Sequence, residues 1–386
     1  MNTILIISPN AWGNLQVSKH NYAIELAKQG NKVYFINPPN RDPMVKNYQI
    51  YPIDEVDNLY IINIFLPKIR VVDFLRYRFG ITQILDFYLL QLFKKISKQE
   101  NLFFYQIWNF DPNLHGYFNR YLGTKKIFFI ADQIKLNAQK RSAKKVDAVI
   151  SVANEILQQF KMINKNCFLI NHGLNKQYEN AARKNLKALQ QQNINTITNK
   201  RIQVGYIGNL LISFLDEVNL KKTVLENPNI DFHFWGAYSN KNNNLLATYN
   251  ESIYNTVQWI KQNCKNTQFY GVKKANEIVD ELETIDAFIY INSSIKDVNG
   301  GANSHKILEY LSTGKVIIST YLSYYNEFAF FPMTAKGEED NYTELFSSVI
   351  NNIEAYNSVE QQTKRIHYAL ENTYEKNIQK INQFLQ

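Results

Sequence analysis

The sequence is poor in the residues and patterns that mark several classes of protein. Its two cysteines, Cys167 and Cys264, lie far apart without CxxC or Cys/His spacing, which argues against a disulfide framework and a zinc cluster. Only 14 glycines and 9 prolines occur in 386 residues, which excludes collagen and an extended disordered chain. No apolar run approaches the roughly 18 residues that a membrane-spanning helix needs. The first residues lack a basic stretch, so we expect no signal peptide and a reducing, cytoplasmic compartment.

Motifs of other nucleotide and metal chemistries are missing as well. Gly205 and Gly208 form only G-x-x-G, and the sequence contains no G-x-G-x-x-G, no G-x-x-x-x-G-K-[ST] and no H-E-x-x-H. The residue patterns of dinucleotide oxidoreductases, P-loop NTPases and zincins are therefore absent. Nucleic-acid recognition modules are absent too, and we expect no nucleic-acid partner.

The positive charge of +9 is concentrated in the first half of the chain. Residues 1–173 carry 22 basic and 12 acidic side chains, or +10, whereas residues 174–386 carry 21 and 22, or −1. Such a one-sided field attracts phosphates, nucleic acid or an anionic bilayer surface. Residues 68–79 and 93–98 mix cations with large apolar groups, which suits an anionic membrane surface as well as an amphipathic core helix.

Alternating apolar and amphipathic segments predict an α/β protein with two similar halves. A strand at 3–8, a helix from Ser18 to Gln29 and a strand at 32–37 form a βαβ unit, and a second such series begins at residue 201. Parallel sheets covered by helices are typical of this pattern. We predict an N-terminal domain at 1–175, a polar, loop-rich connection at 176–200, a second domain at 201–360 and a C-terminal helix at 361–386.

The most informative window is residues 299–320, which reads as a loop, a short helix, a glycine stop and a buried strand. At 100° per residue, one arc of the helix is polar; it carries His305, Lys306, Glu309 and Tyr310. Amides at the helix start, with Lys306 in the first turn, form an anion site. Glu309 could accept hydrogen bonds from paired hydroxyls such as those of a ribose. A solvated surface pair is the alternative for Lys306 and Glu309.

These residues resemble the donor domain of GT-B glycosyltransferases, which carries a Lys…Glu-Tyr-Leu…Gly-Lys-hydrophobic run at its nucleotide-sugar site; residues 304–320 match that run. Other blocks agree in order, namely 204–209, 234–236, 266–272, 285–292 and the 171–174 linker. The resemblance implies two Rossmann-like domains that face each other across a cleft, with the acceptor bound by 1–175 and the donor by 201–360. It also implies that the C-terminal helix packs back toward the N-terminal domain.

The resemblance assigns roles to individual residues. The donor-binding residues that it implies are Gly208, Asn209, Gly236, Val272, Tyr290, Asn303, Ser304, His305, Lys306 and Glu309. The amino-terminal half is similar to a polysaccharide-biosynthesis subgroup that includes the xanthan glucuronosyltransferase, with Trp12, Gly13 and Trp108 as acceptor-binding residues. Asp132, after the strand that faces the cleft in that type, would be the catalytic base. We expect no cofactor and no metal, and a UDP- or GDP-sugar as donor.

Two positions depart from the common retaining enzymes: Gly301 replaces their second glutamate, and Ala131 stands where they often carry histidine. An inverting enzyme needs one base, which Asp132 could supply, although a lone aspartate after a strand is often a helix cap. No Asp-x-Asp triplet occurs, which argues against a metal-dependent GT-A enzyme.

The expected function is therefore transfer of a sugar from a nucleotide sugar to a saccharide or lipid-linked saccharide, by metal-independent, base-assisted displacement. The expected setting is assembly of a bacterial-type surface polysaccharide or lipopolysaccharide, with the protein peripheral at the inner face of the cytoplasmic membrane. Two alternatives stay open: a GT-B sugar-nucleotide epimerase, and a non-catalytic nucleotide-sugar-binding protein.

Overall fold

The chain divides into two compact units, residues 1–171 with 374–386 and residues 172–373. The structure is a computed structural model, and it describes residues 1–13, 16–40, 47–66, 83–111, 113–131, 136–191, 201–239, 250–293, 296 and 303–386.

The first unit is built on an eight-stranded sheet with helices packed on it. Its strands are β1 (Thr3–Ile7), β2 (Lys32–Ile36), β3 (Tyr48–Pro52), β4 (Leu59–Ile64), β5 (Phe104–Asn109), β6 (Gly123–Ile130), β7 (Ala148–Ser151) and β8 (Cys167–Leu169). The order across the sheet is β3-β4-β2-β1-β5-β6-β7-β8, and only β3 is antiparallel to its neighbour. The first helices are α1 (Ser18–Lys28), α2 (Gln83–Gln99), α3 (Leu136–Ala143) and α4 (Asn154–Gln158). Central strands such as β1 and β7 are almost wholly buried, as parallel strands between helix layers must be.

The second unit has a five-stranded parallel sheet in the order β11-β10-β9-β12-β13. Its strands are β9 (Gln203–Ile207), β10 (Asp231–Trp235), β11 (Thr267–Gly271), β12 (Ala287–Tyr290) and β13 (Val316–Ser319). Its helices are α5 (Lys176–Gln190), α6 (Glu217–Glu226), α7 (Glu251–Asn263), α8 (Ala275–Glu281), α9 (His305–Thr313), α10 (Tyr342–Asn351), α11 (Ile353–Tyr356) and α12 (Val359–Leu370). This strand order is that of a Rossmann-type mononucleotide-binding half with two further strands.

The segment expected to be a loop-rich connection is largely helix α5 of the second unit. The Asn175 side chain accepts a hydrogen bond from the Gln177 amide and so caps the helix. Tyr178 and Ala182 are buried on its inner face. Its polar composition is that of an amphipathic helix. The N-terminal part of the first unit already ends at Asn171, before this helix begins.

In place of the single C-terminal helix predicted at 361–386, the structure has two helices that belong to different units. Helix α12 lies in the second unit, and α13 (Tyr374–Phe384) lies in the first, where Ile378 and Ile381 are buried in the core with Tyr22. The break between them is held by the Leu174 amide, which donates to the Asn372 carbonyl at 2.8 Å. None of the helices that the structure describes has the length and apolarity needed to cross a membrane.

Candidate functional site

Two glycines shape the carboxyl edge of the second unit's sheet. Gly208, directly after β9, has φ 152°, and Gly236, directly after β10, has φ 136°, a region that disfavours side chains. The Gly208 amide donates to the Trp235 carbonyl at 2.7 Å, and the Gly236 amide donates to the Gly271 carbonyl at 2.8 Å. A Cβ on Gly236 would collide with the Gly208 carbonyl. The two turns are therefore packed backbone to backbone.

Lys306, in the first turn of α9, lies directly against this edge. A Cβ on Gly208 would collide with the Lys306 ammonium, and Nζ lies 5.2 Å from the centroid of the Tyr206 ring. The ammonium thus sits at the end of β9, although its helix follows β12 in the chain. Half-buried, Lys306 keeps part of its surface open to solvent.

Helix α9 is anchored to β9 by Tyr310. The Ile207 amide donates to the Tyr310 hydroxyl at 2.8 Å, and that hydroxyl donates back to the Ile207 carbonyl at 3.2 Å. The ring stacks on Phe288 at 4.4 Å and is fully buried. Tyr310 is therefore a packing residue and not part of the polar arc in which the helical projection placed it.

Glu309, one turn after Lys306, completes a pair of opposite charges on the exposed side of α9. Desolvation lowers the pKa of Lys306 to about 8 and raises the pKa of Glu309 to about 7, and the opposite charge of each group partly offsets the shift of the other. Both side chains are half-buried. Such a pair changes its charge readily near neutrality, which is common at functional sites.

Two residues to which the sequence analysis gives no role at the site, His172 and Tyr178, lie beside this pair. The His172 ring lies 5.9 Å from the His305 ring at 70°, and His172 forms a hydrogen bond with the backbone of Asn303. Burial and, to a lesser extent, His305 lower the pKa of His172 to about 3. Tyr178, buried on α5, has its pKa raised by burial and by the charge of Glu309. In the sequence, the helix cap at Asn175 and the apolar spacing of α5 were the available signals that this helix packs beside the site.

The other predicted donor residues lie at or just after the carboxyl ends of strands β9, β11 and β12, or directly before α9. The Asn209 side chain accepts a hydrogen bond from the Leu211 amide at 2.9 Å, and Val272, just after β11, is 55% exposed. Tyr290 is only 4% exposed, so little of its ring could meet a ligand. Ser304 is the residue before α9, and its side chain makes no capping hydrogen bond within the described part of the chain.

The predicted acceptor residues do not form one group. Trp12 is half-buried and packs on Phe35 at 5.1 Å, and the neighbouring Gly13 is exposed. The prediction that Trp108 binds the acceptor needs correction. Trp108 is 0% exposed in the core of the first unit, where its Nε1 donates to the Gln106 side chain at 2.8 Å. No ring surface is therefore left for an acceptor. Asp132, the predicted base, lies outside the described residues.

The second unit's site lies where the strand order reverses. Strands β9 and β12 are neighbours, but the connection after β9 leads to β10 on one side, whereas that after β12 leads to β13 on the other. Gly208 and Lys306 come from these two connections. In open α/β sheets, ligands bind at this switch point, beyond the carboxyl ends of the strands.

Comparison with known proteins identifies the architecture. No protein-family model and no curated protein matches the sequence. Solved structures do match over nearly the whole chain. Sucrose-phosphate synthase from Thermosynechococcus elongatus has a TM-score of 0.66 at 12% identity, covering 99% of this chain and 98% of that one. A glycosyltransferase from Rickettsia africae ESF-5 has a TM-score of 0.64 at 15% identity, covering 100% and 97%.

A third match is Anabaena HepE in complex with UDP and glucose, with a TM-score of 0.63 at 13% identity, covering 100% of this chain and 99% of that one. The chain has the GT-B fold. Its two sheet-based units are the Rossmann-like domains of the GT-B architecture, and this confirms the fold class predicted from the 304–320 run.

Proposed function

We propose that this GT-B chain is a glycosyltransferase whose second unit binds a nucleotide-sugar donor. The observation that carries the proposal is Lys306 packed against Gly208 at the switch point, with Glu309 one turn away. The HepE structure, which holds UDP and glucose, and the trehalose-phosphate synthase from Escherichia coli bound with UDP-2-fluoro glucose support a nucleotide-sugar ligand.

Each group at the start of α9 has a task in donor binding. The diphosphate would lie at the first turn, where the helix amides and the Lys306 ammonium meet its negative charge. The Glu309 carboxylate would accept hydrogen bonds from the two ribose hydroxyls. Charge that develops on the leaving diphosphate would then be stabilised by groups already in place, and no metal is required of the residues that we assign.

The proposed reaction is displacement at the anomeric carbon. The acceptor oxygen forms a bond to that carbon while the bond to the phosphate oxygen breaks, and the electron pair leaves with the nucleoside diphosphate. Asp132 takes the proton of the acceptor hydroxyl. This role rests on the resemblance of the amino-terminal half to the polysaccharide-biosynthesis subgroup. One base without a second carboxylate fits an inverting enzyme.

The proposed acceptor is a saccharide or a lipid-linked saccharide in assembly of a surface polysaccharide or lipopolysaccharide. The excess of basic residues in 1–173 supports the proposal that the protein acts next to anionic lipid at the inner face of the cytoplasmic membrane. A sugar-nucleotide epimerase with the same fold remains the second candidate, since it would use the same donor groups. Formation of an isomerised nucleotide sugar without acceptor would decide for the epimerase.

The test is calorimetric titration with UDP, GDP and UDP-glucose. We expect Lys306→Ala to weaken binding by about tenfold or more, the usual loss for a charge-assisted hydrogen bond. The matched control is Lys364→Ala, which removes an exposed lysine of α12. Absence of binding of all three ligands to the wild type would overturn the proposal.

The role of Asp132 is tested separately. Asp132→Asn should keep donor binding and stop sugar transfer, whereas a non-catalytic binding protein would show no turnover in either the wild type or the variant.

A further inference from the structure

The outer face of helix α2, in the first unit, combines apolar and cationic side chains. Seven of its exposed or half-buried residues recur at helical spacing and fall within one arc of about 120° at 100° per residue. They are Ile84, Phe87, Tyr88, Gln91, Lys94, Lys95 and Lys98. We refer to these seven residues as the α2 outer face. The opposite side of the helix, with Leu89 and Phe93, is buried in the unit.

The first half of the α2 outer face is unusually apolar for a surface. Ile84 is 47% exposed and Phe87 is 53% exposed, and Tyr88 beside them is half-buried. Single exposed apolar residues are common, but adjacent large ones on one helix face favour an interaction surface.

The second half of the face is positively charged. Lys94, Lys95 and Lys98 are exposed, and none of them makes an ion pair with another residue of the described part of the chain. The only acidic residue of α2, Asp86, is buried on the other side, where it pairs with Arg141. The α2 outer face therefore carries three positive charges and no negative one.

We propose that the α2 outer face docks on an anionic lipid bilayer, with Ile84 and Phe87 entering the headgroup boundary and the three lysines contacting lipid phosphates. The helix rise of about 1.5 Å per residue places Lys98 about 21 Å from Ile84, which is long enough for both halves to engage one surface. Apolar insertion and attraction of lysines to anionic headgroups act together in such docking. The proposal rests on the membrane setting of the proposed function and assigns the surface that makes the contact, but vesicle binding needs no sugar transfer, so either proposal can fail alone.

Charge decides between a bilayer and the other occupants of such a face. A second copy of this chain would set the lysines either against its own lysines or against its apolar Ile84 and Phe87, and neither arrangement supplies a negative charge, which disfavours a two-fold contact through this face. Nucleic acid would satisfy the lysines but would leave Ile84 and Phe87 in water. An anionic bilayer satisfies both halves.

The test is flotation of the full chain with vesicles of phosphatidylcholine alone and with added phosphatidylglycerol. We expect binding only to the anionic vesicles, and weaker binding as salt is raised. Lys94→Gln with Lys95→Gln should weaken binding roughly thirtyfold, since each lysine near an anionic surface contributes about fivefold. The matched control is Lys161→Gln with Lys165→Gln, two exposed lysines elsewhere in the first unit. Equal loss in both pairs would show a non-specific charge effect and overturn the proposal.

The apolar half is tested by tryptophan insertion. Phe87→Trp should give blue-shifted emission and quenching by brominated lipid in anionic vesicles, whereas Phe103→Trp, at a residue that is 61% exposed, should give neither. A wild type that stays unbound to anionic vesicles, or that dimerises through this face in solution, would overturn the proposal. Unchanged emission at 87 on bound vesicles would do so too, because it would show that the contact with the vesicle lies elsewhere on the chain.

Discussion

Gly208 and Lys306 are 98 positions apart in the chain, yet the Lys306 ammonium occupies the space that a side chain at position 208 would need. The relationship joins two features that look independent in the sequence, a glycine after β9 and a lysine at the start of α9. The glycine is required both by its φ of 152° and by this contact.

We therefore expect Gly208→Ala to act as a binding mutation. The added methyl group must displace the Lys306 ammonium, so we expect UDP affinity to fall by about tenfold, the same loss that we expect for Lys306→Ala. Gly337→Ala is the matched control, because Gly337 also has positive φ (80°) but has open space where its Cβ would be. It should lower stability by about 1 kcal/mol and leave UDP affinity unchanged. Equal loss of UDP affinity in both variants would show that backbone strain, and not displacement of Lys306, is responsible.

The charges of Lys306 and Glu309 predict a pH optimum for donor binding. Because the pKa of Glu309 is raised to about 7, its carboxylate gains charge, and hydrogen-bond acceptors, as pH rises through 7. Because the pKa of Lys306 is lowered to about 8, its positive charge is lost as pH rises through 8. UDP-glucose affinity should therefore rise and then fall across this range. UDP-glucose suits the titration because its phosphodiester groups do not titrate there.

Glu309→Gln should remove the rising limb and keep the falling one. The side-chain amide keeps the length of glutamate but has no charge to gain. A profile that still rises through pH 7 in this variant would assign the limb to another group. Calorimetry at constant ionic strength separates the two limbs.

Asp86 predicts a pH dependence of stability in the first unit. Burial raises the pKa of Asp86 to about 6 from an ordinary 3.8, even though Gly116 and Arg141 hydrogen-bond to it. The folded state thus binds the proton more tightly than the unfolded state. This contribution is fully present below pH 3.8 and is lost as pH rises to 6, with a size of about 3 kcal/mol.

Asp86→Asn should therefore flatten the change in unfolding free energy between pH 4 and pH 7, because asparagine does not titrate. This change is measured by urea denaturation at several pH values, with hydrogen exchange of the α2 amides as the probe of unfolding. Asp231→Asn is the control, since Asp231 pairs with Arg201 on a partly exposed surface. An unchanged pH slope in Asp86→Asn would show that other groups cause the dependence.

Sequence patterns were sufficient to predict the structure where residues close in sequence determine it. The helix, glycine stop and strand predicted within residues 299–320 correspond to α9 and β13, because Gly314 ends the helix with φ 80° and the apolar run after it is buried. Lys306 and Glu309 share the polar side of that helix, as the spacing predicts.

Sequence patterns failed to predict the positions of side chains that are determined by packing against residues distant in the sequence. The helical projection places Tyr310 on the polar arc, but its side chain is buried, because the backbone of Ile207 offers its hydroxyl both a donor and an acceptor. Trp108 is a core residue because Gln106 satisfies its indole nitrogen inside the sheet. The many Lys, Asn and Gln residues of 176–190 predict a connection, but they form the exposed face of helix α5, whose other side is buried.

The proximity of His172 to His305 predicts a positioning role for a residue outside helix α9. His172 bonds to the backbone of Asn303 and contacts the His305 ring, so it holds the chain that leads into the first turn. His172→Ala should weaken UDP binding by about threefold to tenfold, the range for one lost hydrogen bond, with little change in melting temperature. His172→Asn keeps a polar group near the Asn303 backbone and should restore part of the affinity. His367→Ala, at an exposed site on α12, is the control. A purely structural role would instead lower the melting temperature of His172→Ala without rescue of affinity by asparagine.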